Sequence, residues 1–216
     1  MKINTVIFDL DGTLLDTVAD LAAAVNYALN LHGYPERTVD EVRRFVGNGA
    51  RKLILRSLNG VETPDLDETV ADFRNYYSKH TAVLTAPYPG ITDLLRLLKE
   101  KGIGTAIVTN KYDSAAQALN LHYFGDLIPI AIGEKEGGRH KPAPDSVLVA
   151  MEKLNADPAS TVYVGDSEVD VETAKNASLP CFSVTWGFRD RDTLRSAGAE
   201  TLFDTADELK KALLSE

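Results

Sequence analysis

The chain has 216 residues, 44% of them hydrophobic and 25% charged, which is ordinary for a folded globular protein and argues against disorder. A net charge of −9 argues against a nucleic-acid partner, which needs a basic face to displace counterions. It still leaves room for a small anionic substrate at a locally positive site. The one cysteine, Cys181, cannot form an intramolecular disulfide and reads as a buried structural thiol in a strand.

The residues at 5–8 are β-branched or aromatic and run into acids and a glycine, which predicts a buried strand feeding a loop. This apolar run is too short, and too soon interrupted by acids, for a signal peptide, and no run approaches the length of a membrane span. A cytoplasmic protein with no membrane partner is expected. From Thr17 the pattern turns helical: Val18, Leu21, Ala22, Val25 and Leu29 recur at helical spacing until His32-Gly33-Tyr34-Pro35 ends the run. Asp16-Thr17 is expected to cap this helix, with a hinge as the alternative role. Three more apolar stripes follow: Val42, Phe45 and Val46; Leu53, Ile54 and Leu58; and Leu66, Val70, Phe73 and Tyr77. No strand is legible among them, and Pro87-Tyr88-Pro89-Gly90 breaks the chain.

Beyond Gly90, helices and strands alternate. Strands are expected at 103–108, 127–132, 161–164, 181–184 and 201–203, with helices at 91–101, 114–121, 144–154, 169–177 and 206–214. Such alternation means right-handed βαβ units and a parallel sheet covered by helices on both faces. The first strand is therefore separated from its sheet by a helical block. The predicted fold is an α/β doubly wound core, residues 1–15 and 85–216, with a helical cap inserted at 16–84. No internal repeat or low-complexity stretch is present.

In an open parallel sheet, ligands bind beyond the carboxyl ends of the strands. Polar residues of complementary kinds gather there: Asp9 and Asp11; Thr109-Asn110-Lys111; Arg139-His140-Lys141-Pro142; and Gly165-Asp166-Ser167 with Asp170. A carboxylate such as Asp9 can attack phosphorus and form an aspartyl-phosphate, dividing one hard displacement into two easier ones. Asp11, two residues on, can protonate the leaving alkoxide and then activate water. Mg²⁺ prefers a few carboxylates together with water and phosphate oxygens, and Asp9, Asp166 and the backbone carbonyl of Asp11 could supply that set. Asp170 would reach the metal through water or orient Lys141. Thr109 offers a hydroxyl to a phosphoryl oxygen, and Lys141 adds positive charge where the transferring group is most negative. Taken singly each has a plainer reading, as turn residue, helix cap or solvated lysine; together, in order, they describe one site. The histidines His32, His80, His122 and His140 show no metal-ligand spacing.

The runs Asp9-Leu10-Asp11-Gly12-Thr13-Leu14-Leu15-Asp16-Thr17, Thr109-Asn110, Lys141-Pro142-Ala143-Pro144 and Gly165-Asp166-Ser167-Glu168-Val169-Asp170 resemble the four signature motifs of the haloacid dehalogenase (HAD) superfamily. They stand in family order and span essentially the whole chain. The second acid, Asp11, resembles the phosphatase branch. The resemblance implies a HAD-like Rossmannoid core with a small helical cap, Asp9 as nucleophile, Asp11 as acid/base, Thr109 as phosphate-binding hydroxyl, Lys141 as the third-motif lysine and Asp166 as metal ligand. Within the superfamily, Phe45-Val46-Gly47-Asn48-Gly49-Ala50, Val108-Thr109-Asn110-Lys111 and Trp186-Gly187-Phe188 resemble phosphoglycolate phosphatases. That likeness implies a substrate contact by Asn110 and by the cap loop Gly47, Asn48 and Gly49, whose glycines let amides turn toward an anion. Arg51 and Lys52 follow in the first helical turn, where cations oppose the helix dipole; a substrate carboxylate would explain them, and so would an exposed face. The charged approach to Lys141, with Lys135 and Arg139, reads as a solvated loop. The expected function is Mg²⁺-dependent hydrolysis of a small phosphorylated metabolite, 2-phosphoglycolate first, with pyrophosphatase, sugar-phosphate phosphatase and β-phosphoglucomutase-like mutase as alternatives and a non-catalytic phospho-receiver as a distant one.

Overall fold

A computed structural model describes residues 2–60 and 63–215; residues 1, 61, 62 and 216 of the ranges above lie outside the described residues. In chain order the elements are β1 (Thr5–Phe8), β2 (Leu15–Asp16), α1 (Val18–Leu31), α2 (Val39–Phe45), α3 (Gly49–Ser57), α4 (Leu66–Lys79), β3 (Ala86–Pro87), α5 (Ile91–Glu100), β4 (Gly104–Tyr112), α6 (Asp113–Tyr123), β5 (Ile130–Glu134), α7 (Asp145–Leu154), β6 (Thr161–Gly165), α8 (Glu168–Asn176), β7 (Cys181–Val184), α9 (Arg191–Ser196), β8 (Thr201–Phe203) and α10 (Ala206–Leu214). Six strands form one sheet in the order β5-β4-β1-β6-β7-β8, and every pairing in it is parallel.

The sheet is covered on both faces, as its near-continuous apolar strands require. Along β1, Val6 and Phe8 face one layer with Ile91, Leu95, Leu209 and Leu213, while Ile7 faces the other with Val147, Ala150, Met151 and Ala174. This is the two-residue period of a strand read out by two helix layers. Each such aliphatic side chain contributes about 1.5–3 kcal/mol by leaving water. β1 lies between β4 and β6, so Asp9, Thr109 and Asp166 emerge from three neighbouring strands at the same sheet edge.

Helices α1 to α4 pack around a core of their own, in which Val25, Leu29, Ile54, Val70 and Phe73 meet. The chain leaves β1 and returns through β2 and β3, which pair antiparallel as Leu15 with Pro87 and Asp16 with Ala86. Asp16 thus stands in this two-strand crossing. Its carboxylate accepts only a long bond, 3.4 Å, from the Val18 amide, so the expected capping of α1 by Asp16-Thr17 is corrected. The Thr17 hydroxyl donates elsewhere, to Asp11 Oδ1 at 2.6 Å. β2, β3 and α9 are additions to the sequence-based expectation. The two strands are two residues each, and α9 buries Leu194 alone, leaving no stripe to read.

His32 ends α1 and pairs with Asp65 and Asp72, at 2.9 Å each. The bond to Asp72, against the opposing effect of burial, and then Asp65 hold the imidazolium above its ordinary 6.5. A pKa raised on folding stabilises fully below the unfolded value, and that contribution is lost as pH rises through the folded one. The His32→Gln variant is therefore expected to lose about 0.5–1 kcal/mol at pH 6 and almost nothing at pH 9. Thermal unfolding of both proteins across that range checks this.

No helix among the described residues is long and apolar enough to cross a membrane. Cys181 is a free thiol on β7, and burial pushes it up to about 12, which leaves little thiolate at neutral pH.

Candidate active site

The loop after β1 is a tight turn: the Leu10 carbonyl accepts from the amides of Leu14 and Leu15, both at 3.0 Å. It turns at Gly12, whose φ is +87°. There is no room for a side chain. A Cβ on Gly12 would lie 2.3 Å from Asp166 Oδ2, and one on Gly187 would lie 2.4 Å from that same atom. These two glycines let the Asp166 carboxylate lie flat between two backbones. Thr13 Oγ1 donates to its Oδ1 at 2.9 Å and the Phe188 amide to its Oδ2 at 2.7 Å. The Trp186-Gly187-Phe188 turn therefore seats this acid.

Asp9 is buried at the end of β1. Lys141 Nζ stands 2.9 Å from Asp9 Oδ1 as an ion pair, while its aligned hydrogen bonds go to Asp170 Oδ1 at 2.8 Å and to the Tyr163 hydroxyl at 3.0 Å. Asp170 has no exposure, and its other oxygen accepts from the Asp166 amide, the Ser167 amide and Ser167 Oγ. Of its two expected roles, these bonds display the orienting of Lys141. Asp9, Asp166 and Asp170 each place a carboxylate oxygen within 4.8 Å of the others, the sole such cluster among the described residues.

The electrostatics show what kind of group this cluster suits. Burial, then repulsion by Asp170, pushes Asp9 up to about 7 against the pull of Lys141. Burial, then Asp170 and Asp9, raises Asp166 well above the carboxylate range. Burial alone would discharge Lys141, yet Asp170 and Asp9 hold it firmly charged. Three buried carboxylates share one ammonium, an imbalance that a hard divalent cation would relieve. The donor set fits such an ion.

Asp11 Oδ1 accepts from Thr17 Oγ1 at 2.6 Å and from Lys111 Nζ at 2.7 Å. The Lys111 amide donates to Thr109 Oγ1 at 3.2 Å, which leaves the Thr109 proton free to donate. Asn110 is fully engaged: its Nδ2 reaches the carbonyls of Gly47 and Lys141 at 3.0 Å each, and its Oδ1 accepts from the Lys141 amide at 2.8 Å. It ties the core to the loop before α3 rather than standing free for a substrate.

A cleft lies between the sheet edge and α1, α3 and α4, and Asp9, Asp11, Thr109, Asn110, Lys141 and Asp166 line it with Gly47 and Gly49. Other expected contacts are absent from its lining. Asn48 Oδ1 accepts from Arg56 at 2.7 Å, and Arg51 is 54% exposed and pairs with Asp67 on the outer surface. An anion beside the start of α3 is the chain's own Glu134, whose Oε2 would meet a Cβ on Gly49 at 2.8 Å. Lys135 and Arg139 are solvated, 71% and 73% exposed, as expected.

Lys111, named with Thr109 and Asn110 at its strand end, also enters the cleft, and so do two residues without a sequence signal, Tyr77 and Arg189. Arg189 donates to Glu168 at 2.8 Å and to the carbonyls of Arg43 and Val46 at 3.0 and 2.7 Å, strapping the end of α2 to the start of α8.

Comparison with known proteins agrees with this geometry. The family model for haloacid dehalogenase-like hydrolases matches residues 6–184. The phosphoglycolate phosphatase of Pseudomonas putida is 36% identical over 96% of this chain and 78% of its own length. The N-acetylmuramic acid 6-phosphate phosphatase of Pseudomonas aeruginosa is 30% identical, over 97% and 94% respectively. A crystal structure from Lactobacillus delbrueckii subsp. bulgaricus, of a candidate phosphoglycolate phosphatase, superposes over 100% of both chains with a TM-score of 0.96 at 36% identity. The chain belongs to the haloacid dehalogenase-like hydrolase family, as an enzyme of its phosphatase type.

Proposed function

We propose that this enzyme hydrolyses a small phosphorylated metabolite, 2-phosphoglycolate in first place, by way of a phosphoryl group carried on Asp9. The observation that carries the reading is the convergence of Asp9, Asp11, Thr109 and Lys141 on one cleft. The Asp9 carboxylate attacks phosphorus, and the bond from phosphorus to the ester oxygen breaks as the new bond forms. Asp11 gives its proton to the departing alkoxide. It then takes a proton from the water that attacks the phosphoryl group, which releases phosphate and restores Asp9. Thr109 donates to a phosphoryl oxygen, and Lys141, braced by Asp170, holds positive charge beside the transferring group.

Asp9, Asp166 and the Asp11 carbonyl would hold Mg²⁺, with Asp170 behind Lys141 or reaching the ion through water. When bound, Mg²⁺ neutralises charge on the phosphoryl oxygens. Helices α1 to α4, residues 16–84, act as the cap that closes over the cleft, with β2 and β3 as its hinge. The cytoplasm is the proposed compartment, in keeping with a free thiol.

Removing metal with a chelator is expected to abolish turnover, and millimolar Mg²⁺ to restore it. The same ion at about 100 times its Kd should stabilise the wild type by about 2.7 kcal/mol, and Asp166→Asn should lose most of that gain. Activity and thermal unfolding with and without Mg²⁺ check both. The substrate is tested with a panel of phosphoglycolate, pyrophosphate, hexose phosphates and N-acetylmuramic acid 6-phosphate. Preference for a sugar phosphate would replace the substrate reading while leaving the chemistry intact. Transfer of the phosphoryl group to a second sugar hydroxyl would mark a mutase. Uptake of one phosphoryl group without steady release would mark a receiver.

A further inference from the structure

We infer that Lys111 and Tyr77 form a subsite for a substrate carboxylate, set beside the phosphoryl site and selecting esters that carry a second negative group close by. The inference deepens the phosphatase reading above and rests on it. It begins with the cations of the cleft. Lys141 is held by Asp9 and Asp170. Arg189 is held by Glu168 and two carbonyls. Arg74 lies 3.7 Å from Glu134 and over the Tyr112 ring at 5.3 Å. Lys111 is different: among the described residues its one carboxylate partner is Asp11, the residue that must turn to the leaving oxygen.

The Lys111 side chain is only 4% exposed, yet it lines the cleft. At most about 7 Å of strand separates it from Thr109, a span that a two-carbon acid bridges. Beneath it lies Tyr77 of α4, whose ring centre is 4.6 Å from Lys111 Nζ. Tyr77 is 5% exposed and lines the same cleft, and apart from a close approach to Lys111 its buried hydroxyl has no aligned hydrogen-bond partner among the described residues. Buried tyrosine hydroxyls usually have one, so this orphan asks for a ligand. Burial pushes the phenol up to about 12, so at neutral pH it offers a proton.

One ammonium and one phenol side by side match the two oxygens of a carboxylate. A sugar tail fits less well, because Leu21, Leu53, Phe73 and Ala115 make part of the wall apolar and leave any hydroxyl set against them without a partner. A second phosphoryl group would bring more charge than one lysine balances. When the carboxylate arrives it replaces Asp11 as the counterion of Lys111. Asp11, still tethered by Thr17, is then released toward the ester oxygen. Recognition of the tail and readiness of the acid are thereby coupled.

The test compares kcat/KM for 2-phosphoglycolate and ethyl phosphate, in which a methyl group stands for the carboxylate, in the Mg²⁺-loaded enzyme. The ratio cancels any effect of a variant on Asp11 that both esters share. Lys111→Met should lower the ratio about 100-fold. Tyr77→Phe should lower it about tenfold, with little change in thermal unfolding, because the hydroxyl it removes makes no aligned hydrogen bond among the described residues. Calorimetry should show 3-phosphonopropionate binding more tightly than propylphosphonate, and Lys111→Met should erase the difference. If both variants keep the wild-type preference, the subsite is wrong and the phosphatase reading stands. Wild-type enzyme indifferent to the carboxylate, or a Lys111→Met loss confined to pyrophosphate, would also overturn it. If neither ester is hydrolysed but the carboxylate-dependent binding is found and lost in Lys111→Met, the subsite holds and the phosphatase reading fails.

Discussion

The Asp9→Asn variant should lose turnover by about 10⁴-fold or more, with the protein still folded. The carboxamide keeps the shape of the side chain and lacks the anionic oxygen that attacks phosphorus. The fold has little reason to object. The Asp9 amide donates to the Val164 carbonyl at 2.8 Å through the backbone, and that bond is untouched. Removing one of three clustered buried acids also relieves the burial cost, and then the repulsion by Asp170, that push Asp9 up to about 7. Without metal, Asp9→Asn should therefore unfold at the wild-type temperature or above it, whereas a structural role would lower that temperature. Wild-type turnover in a preparation cleared of contaminating phosphatase would defeat the mechanism.

The Asp11→Asn variant should separate the two halves of the reaction. Its Oδ1 can still accept from Thr17 and Lys111, so the loop geometry survives. What it loses is proton transfer, worth about 10²- to 10⁴-fold. With an alkyl phosphate the first step fails, because the alkoxide leaves without a proton. With p-nitrophenyl phosphate the leaving group needs none, so Asp9 should be phosphorylated and then wait for a base to activate water. The expected trace is a burst of nitrophenolate close to one equivalent per enzyme, followed by slow release. A trace with no burst and equal losses on both esters would contradict this division of labour.

The sheet was legible because parallel strands buried on both faces leave unbroken β-branched runs, as at Thr5–Phe8 and Cys181–Val184. The strand-end acids were legible because each such run stops at a polar residue. The positions of Tyr77 and Arg189 were not. Tyr77 reads as one more residue in an apolar stripe on α4, and only tertiary packing brings it against Lys111. Arg189 looks like a loop arginine until α2 presents its carbonyls. Arg51 and Asn48 went the other way: local sequence set them beside a glycine turn, but the direction of α3 sends Arg51 outward to Asp67 and ties Asn48 to Arg56. Asp16 reads as a cap, and its pairing with Ala86 depends on a strand 70 residues later (16 to 86).

The claim that the reaction passes through Asp9 is tested most directly by finding the phosphoryl group. Asp11→Asn enzyme with Mg²⁺ and p-nitrophenyl phosphate would be quenched in acid during the burst, digested at low pH and mapped by mass spectrometry. One phosphoryl group on the peptide containing Asp9, absent when Asp9 is also replaced by asparagine, is the predicted result. A burst whose quenched protein carries the group on another residue, or on none, would contradict it.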